Sequence, residues 1–177
     1  MRAHRFAATW SLCLLAVCAC SSDSRSFGPL AEPAAWRPLE GAADPFEAER
    51  PEGALCDAFG WGVEDFEGEP SFFVDTRVCD YVTVAQAPLR EVRVGDTVRL
   101  RLYHFDLSAE EPAEGHVAVL FDGQVQWEQR VAIPSPAALT QASWQATQSL
   151  GARGSLQFHV HNHGPNSWSL LELSVEP

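Results

Sequence analysis

The final stretch of the chain, residues 156–175, constrains the fold more than any other part. It reads LQFHVH, then NHGPN, then SWSLLELSV. Apolar and polar side chains alternate in the first and third parts, which is the period of a β-strand with one buried face. The Gly-Pro pair between them indicates a turn. In the last part, strict alternation puts Trp168 on the face opposite Leu171 and Val175, so the stretch predicts two consecutive strands.

The chain upstream of this stretch also predicts short strands separated by turns. The candidates are Ser71–Asp75, Val78–Ala85, Glu91–Val94, Thr97–Asp106, His116–Phe121, Gln124–Ala132, Ser143–Gln148, Ser155–His161 and Trp168–Val175. Asp122-Gly123 is a strong two-residue hairpin signal. Because no clear helical period is present, the sequence predicts an all-β fold, an antiparallel β-sandwich of the jelly-roll type.

The N-terminus has the features of an export signal. Arg2 and Arg5 precede an apolar run, residues 6–17, that is too short to span a bilayer as a helix but typical of a signal-peptide core. The run ends in Val17-Cys18-Ala19-Cys20. Residues 1–19 are therefore interpreted as a signal peptide and the protein as exported.

The end of this signal resembles the lipobox of bacterial lipoproteins. That resemblance implies lipidation of Cys20 and attachment to a membrane, and Ser21 directly after the cysteine implies the outer membrane, on its periplasmic or its surface face. An ordinary signal peptidase could cut at the same bond, in which case the protein would be secreted without an anchor.

Residues 20–55 have the composition of a spacer. The segment contains five prolines, scattered alanines and acids, and no sustained hydrophobic period. We expect a disordered acidic tether over 20–55 and one folded domain over 56–177.

The charge balance excludes several classes of function. The chain has 24 acidic and 12 basic residues, and all of the basic residues are arginine. A nucleic-acid partner needs a basic face, and Schiff-base or P-loop chemistry needs a lysine, so the sequence argues against all three. It also contains no GxSxG or HExxH motif. A hydrolase-type enzyme remains an alternative that the sequence does not support.

Two cysteines, Cys56 and Cys79, remain after the signal. In an oxidising compartment they predict one disulfide. A bridge over this separation contributes about 3 kcal/mol in the chain-entropy model.

The histidines suggest a metal site. His159 and His161 lie on one face of a predicted strand, and an exported protein could hold zinc or copper there with a third ligand. The candidate third ligands are His163, His104 and His116. Alternatively, these histidines face water or bond to backbone or carboxylate groups near a sheet edge, and His104 is a buried core residue because it continues an apolar face.

A run of acids before and within the first predicted strands suggests calcium. Its oxygen ligands would be Asp57, Glu64, Asp65, Glu67 and Glu69, although their spacing is not that of an EF-hand loop. The alternative is a solvated acidic segment.

Tryptophans offer a third kind of site. Trp127, Trp144 and Trp168 could form a stacking platform for sugar rings, or they could belong to the core.

The ending from Asn166 to Val175, after an Asn/Gly turn, resembles the last strands of galactose-binding-like jelly rolls and carbohydrate-binding modules. This resemblance implies a non-catalytic binding or structural module with a glycan or protein ligand. Trp168, Asn166 and His161 are the candidate ligand contacts. The alternative function is a periplasmic metal-binding protein.

Overall fold

The computed structural model describes residues 27–176, which form an all-β molecule. The strands are β1 (Gly28–Pro29), β2 (Arg37–Pro38), β3 (Trp61–Phe66), β4 (Glu69–Asp75), β5 (Tyr81–Gln86), β6 (Thr97–His104), β7 (Ala113–Phe121), β8 (Gln124–Ile133), β9 (Ala138–Gln145), β10 (Leu156–His161) and β11 (Ser167–Glu176). Single 3-10 turns lie at Pro33–Ala35, Gly41–Ala43 and Glu47–Glu49. None of the helical segments in this described part is long and apolar enough to cross a membrane.

The strands form two antiparallel sheets packed face to face. In the first sheet the order is β3-β4-β11-β6-β9, with β1 on β11, and in the second it is β2-β5-β10-β7-β8. The predicted β-sandwich is confirmed. The predicted hairpin at Asp122-Gly123 joins β7 to β8, and both residues have the positive φ angles, 47° and 81°, that such two-residue turns require.

Alternating side chains of both sheets build the core. On β6, Val98, Leu100 and Leu102 are fully buried while the residues between them are partly exposed. Phe158 on β10 meets Phe72 on β4 edge to face at 6.2 Å between ring centroids. The predicted strand at Glu91–Val94 is instead a loop, in which Val92 forms an isolated β-bridge with Leu150.

A β-bulge in β11 changes which residues face the core. The register with β6 shifts between Leu170 and Glu172, so strict alternation fails there. Trp168 and Leu170 point inward before the bulge, and Leu173 and Val175 point inward after it. The sequence prediction that Trp168 lies on the face opposite Val175 is therefore wrong.

The segment from residue 28 to residue 55 packs on the sandwich, where a disordered tether was expected. Leu30 and Trp36 are fully buried, and Phe46 covers the outer face of the second sheet. Large apolar side chains give the segment enough buried area to offset its ordering entropy. The expectation of a free spacer is therefore wrong for this segment. The predicted signal and Cys20 lie outside the described residues.

The predicted disulfide is present. Cys56 and Cys79 are joined and form an isolated antiparallel bridge. The bridge fixes the end of the N-terminal segment beside the start of β5.

Candidate ligand-binding face

One candidate functional surface is the outer face of the first sheet. On β6, the residues that alternate with the core aliphatics are Arg99, Arg101 and Tyr103, and Phe105 follows on the same side. Phe105 is 57% exposed. A large exposed aromatic on a solvent-facing strand costs free energy when no ligand covers it, which makes this face a candidate binding surface.

Three rings form an aromatic row across this face, namely Phe66, Tyr103 and Phe105. The centroid of Tyr103 is 5.1 Å from Phe66 and 5.0 Å from Phe105. The ring planes are inclined by 56° and 84°. The β3–β4 hairpin brings Phe66 to the row, since Phe66 is the last residue of β3. Because the rings are tilted, they form walls rather than one flat platform.

A cleft of about 370 Å³ lies beside the aromatic row. Phe73 on β4 and Phe105 supply its aromatic lining. Its polar lining is supplied by Glu64, Asp75, Arg77, Asp106, Asn166 and Ser167. A smaller recess of about 200 Å³ lies under the β3–β4 hairpin, next to Arg101.

The polar groups of the cleft are held by neighbours. Ser169 donates its hydroxyl hydrogen to the Glu64 carboxylate over 2.5 Å. Arg77 donates to both carboxylate oxygens of Asp75, over 3.0 Å from Nε to Oδ1 and 2.5 Å from Nη2 to Oδ2. The hydrogen bond from Arg77 lowers the pKa of Asp75, so this carboxylate is ionised at neutral pH. The Arg77 side chain is 67% exposed, which leaves it open to a ligand.

Aromatic walls with a few fixed polar groups suit a polyhydroxylated ligand. The apolar face of a sugar ring can pack on the aromatic rings, and its hydroxyls can bond to carboxylate and guanidinium groups. The arrangement can hold and orient such a ligand.

Of the predicted ligand contacts, Trp168 has a structural role instead, and Asn166 lines the cleft but its amide is already bonded within the protein. Trp168 is 1% exposed, lies 4.8 Å from the His104 ring, and donates its indole N–H to Asn162 Oδ1 over 3.3 Å. Asn166 is buried, and its amide bonds to both backbone groups of Ser108. The prediction that the Trp168 ring stacks on a ligand is wrong because the β11 bulge turns it inward.

The other two tryptophans of the predicted platform close one side of the sandwich. Trp127 on β8 and Trp144 on β9 stack at 6.2 Å with their planes 20° apart. Both are partly buried against the core. The pair joins the edges of the two sheets, as the alternative core interpretation anticipated.

The histidines separate into two places. His104 is buried on β6 in the first sheet, and its Nδ1–H donates to the Phe105 carbonyl over 2.8 Å. The other four lie on or beside the second sheet, where His116 pairs with His161 in the strand register. Among residues 27–176, no group of three or more His, Cys, Asp or Glu side chains is placed to hold a metal ion. That statement includes the acidic residues that suggested calcium.

A hydrogen-bond network explains why His159 is buried. Asp44, in the N-terminal segment, accepts bonds from Tyr81 Oη at 2.8 Å, Thr83 Oγ1 at 2.7 Å and the Phe46 amide at 3.0 Å. The single hydroxyl hydrogen of Thr83 is used on Asp44, so Thr83 accepts from the Nδ1–H of His159 at 2.8 Å. Phe46 covers the His159 ring at 4.4 Å.

Burial keeps these imidazoles neutral. It lowers the pKa of His159 well below its ordinary value and also lowers the pKa of His116 and of His161. The Glu128 carboxylate, 3.0 Å from His116 Nε2, opposes the effect at His116. Desolvation raises the pKa of Tyr81.

His161, the third predicted ligand contact, borders a separate groove of about 770 Å³. His116, His163 and Arg130 also line it, together with Glu110, Glu111 and Glu114. The ring of His161 lies 4.9 Å from that of His163. The groove is on the second sheet, so His161 does not share a site with the aromatic row.

Sequence reasoning missed the aromatic row and Phe73. One signal was present, because Tyr103 and Phe105 continue the polar side of a strand whose other side is Val98, Leu100 and Leu102. An aromatic residue on the wet face of an alternating strand is a candidate binding residue. Phe66 gave no comparable signal, since its place depends on how the hairpin bends over the sheet.

No protein-family model and no curated protein matches the chain. Among solved structures it is similar to the K3 adhesin domain of Lys-gingipain from Porphyromonas gingivalis, with 12% identity and a TM-score of 0.47, covering 82% of this chain and 93% of that one. It is also similar to the N-terminal cellulose-binding domain of Cellulomonas fimi β-1,4-glucanase C, with 15% identity and a TM-score of 0.42, covering 68% and 90%.

A third similar structure is the Agl-KA catalytic domain, with 12% identity and a TM-score of 0.46. The match covers 86% of this chain but only 28% of that domain. The similarities to all three structures concern the β-sandwich alone.

Proposed function

We propose that the protein is an exported, non-catalytic module that binds a glycan through the aromatic row and the adjoining cleft. The row of Phe66, Tyr103 and Phe105 carries this proposal, with the Phe105 ring exposed and the other two half-buried. A cleft of about 370 Å³ fits a short saccharide.

The charge around the cleft favours a neutral glycan. Glu64, Asp75 and Asp106 face it, and Arg77 is the one cation among its lining residues. Uronate or sulfate groups would meet repulsion from these carboxylates. Neutral hydroxyls can donate to the carboxylates and accept from the guanidinium.

Export and anchoring belong to the same proposal. The Cys56–Cys79 disulfide supports an oxidising compartment. The lipobox-like sequence ending at Cys20, followed by Ser21, supports a lipid anchor in the outer membrane. The module would then hold a glycan at the cell envelope.

Binding of neutral and acidic oligosaccharides to the unlipidated chain, residues 21–177, tests the ligand. We expect neutral glycans to bind, and the double variant Tyr103→Ala, Phe105→Ala to weaken binding by about tenfold or more, because two stacking surfaces are removed. Isothermal titration calorimetry gives the dissociation constants.

Phe27→Ala is the matched control. Phe27 precedes Gly28, which pairs with Val175 at the end of β11 far from Tyr103, and its ring is 36% exposed. This variant should bind like the parent chain. Equal binding by the parent and the double variant would contradict the proposed site, and capture of a protein without any glycan binding would contradict the ligand class.

A further inference from the structure

One edge of the first sheet has no charged residue. This edge is β9, with the sequence ALTQASWQ, and it lies within an uncharged run over 131–152 that Arg130 and Arg153 bound. The whole chain is 20% charged, so a neutral stretch of this length is unusual for it. Its outward side chains include Leu139, which is 42% exposed.

The other strand edges in the described part of the chain are protected. The opposite edge of the first sheet, β3, carries Glu64 and Asp65. In the second sheet, β8 carries Glu128 and Arg130, and β2 has two residues, one of them Pro38. Charges, proline and short length prevent edge strands from pairing with other chains. None of these devices is present on β9, although it is eight residues long.

A second copy of this chain is the partner that fits this edge. Two molecules that each carry a net charge of −12 repel one another over most of their surface. Contact through β9 brings no like charges together within the paired strands. We propose that β9 pairs antiparallel with β9 of a second copy, so that two first sheets become one continuous sheet.

This geometry places the two candidate faces on the same side. The two-fold axis of an antiparallel strand pair is perpendicular to the sheet, so equivalent faces point in one direction. Leu139 on β9 lies opposite Tyr103 on β6. Tyr103 of each copy therefore lies on the second strand from the line where the two β9 strands meet. If the proposed function holds, the dimer binds a polymeric glycan at two sites and gains avidity. The pairing itself does not depend on that function.

Sedimentation equilibrium of the chain over 21–177 tests the pairing. We expect a monomer–dimer equilibrium and, in the dimer, slower amide hydrogen exchange at residues 138–145. Gln141→Lys places two like charges at the joint and should weaken dimerisation at least tenfold. Gln141→Glu is the second variant. The introduced carboxylate lies beside Arg101 in the register, and two such carboxylates at the joint should weaken dimerisation as well.

Gln124→Lys on β8 is the matched control, because this residue is exposed at the edge of the other sheet. It should dimerise like the parent. A parent chain that stays monomeric at sub-millimolar concentration would overturn the proposal. A dimer with unchanged exchange in β9, or one that resists both Gln141 variants, would overturn it equally. Glycan titration of the monomeric variant reports the proposed function separately.

Discussion

At the residue scale, Thr83 holds the outer face of the second sheet together. Its hydroxyl donates to Asp44 and accepts from His159, and it is almost fully buried. Loss of the hydroxyl would leave a buried carboxylate and a buried imidazole each short of one bond. Buried polar groups without partners cost far more than an exposed hydrogen bond contributes.

Replacement of Thr83 by valine should therefore destabilise the protein by about 2–4 kcal/mol. Urea unfolding at pH 7.5, followed by tryptophan fluorescence, measures the change. Thr97→Val is the control, because the Thr97 hydroxyl accepts an exposed bond from Gln145 over 2.9 Å. The free energy of unfolding of that variant should fall by less than about 1 kcal/mol. Equal losses of stability in the two variants would show that the buried network contributes no more than the exposed hydrogen bond.

At the scale of elements, the N-terminal segment behaves as part of the sandwich. Trp36 packs 5.7 Å from Phe72 and 6.3 Å from Phe158, which places it among the core residues of both sheets. Composition predicted a spacer here, since prolines and acids are frequent. Composition could not show that a few large side chains, widely spaced along the segment, pack into the core of the sandwich.

Trp36→Ala gives a direct measure of this packing. We expect a loss of about 3–5 kcal/mol in the free energy of unfolding, the usual cost of removing a buried tryptophan. Phe59→Ala, at a ring that is 72% exposed, should change the stability by less than about 0.5 kcal/mol. An unchanged midpoint for Trp36→Ala would mean that the segment is a free spacer in solution.

Alternation of apolar and polar residues predicts the buried face of some strands correctly and of others wrongly. On β6, one apolar and one polar side alternate without interruption, and both the strand and its wet face could be predicted. On β11, the bulge after Leu170 reverses the alternation, and no local signal announces it. On β10, His159 was expected on a wet face, but that face is covered by Phe46 from a distant part of the chain. Coverage depends on tertiary contacts that alternation does not encode.

At the scale of the whole molecule, the covered histidines couple stability to pH. His159, His116 and His161 have pKa values below 6.5 in the folded protein. In the unfolded chain they take up protons near pH 6.5, so the unfolded state binds more protons as the pH falls. Their stabilising contribution is complete above that pH and is lost progressively below it. Asp75, whose pKa is lowered, contributes above pH 3.8 and loses its contribution at lower pH.

Chemical unfolding between pH 7.5 and pH 5 should therefore show stability falling with pH, by about 1.4 kcal/mol per pH unit at most for each histidine. His159→Gln removes the most deeply buried of the three imidazoles and should make the decline shallower. Thr97→Val, which removes no titratable group, should leave the slope unchanged. A parent protein with constant stability over this range would contradict the assignment of neutral, buried imidazoles.

The ends of the described chain lie side by side. Gly28 pairs with Val175, and the Leu30 amide donates to the Leu173 carbonyl over 2.8 Å. A short linker can therefore join the two ends, and new ends can be opened in the exposed loop at residues 110–112 without cutting a strand. Such a circular permutant would turn the N-terminal segment into an internal connection. The order in which the strands leave the ribosome could then be changed while the native contacts stay the same.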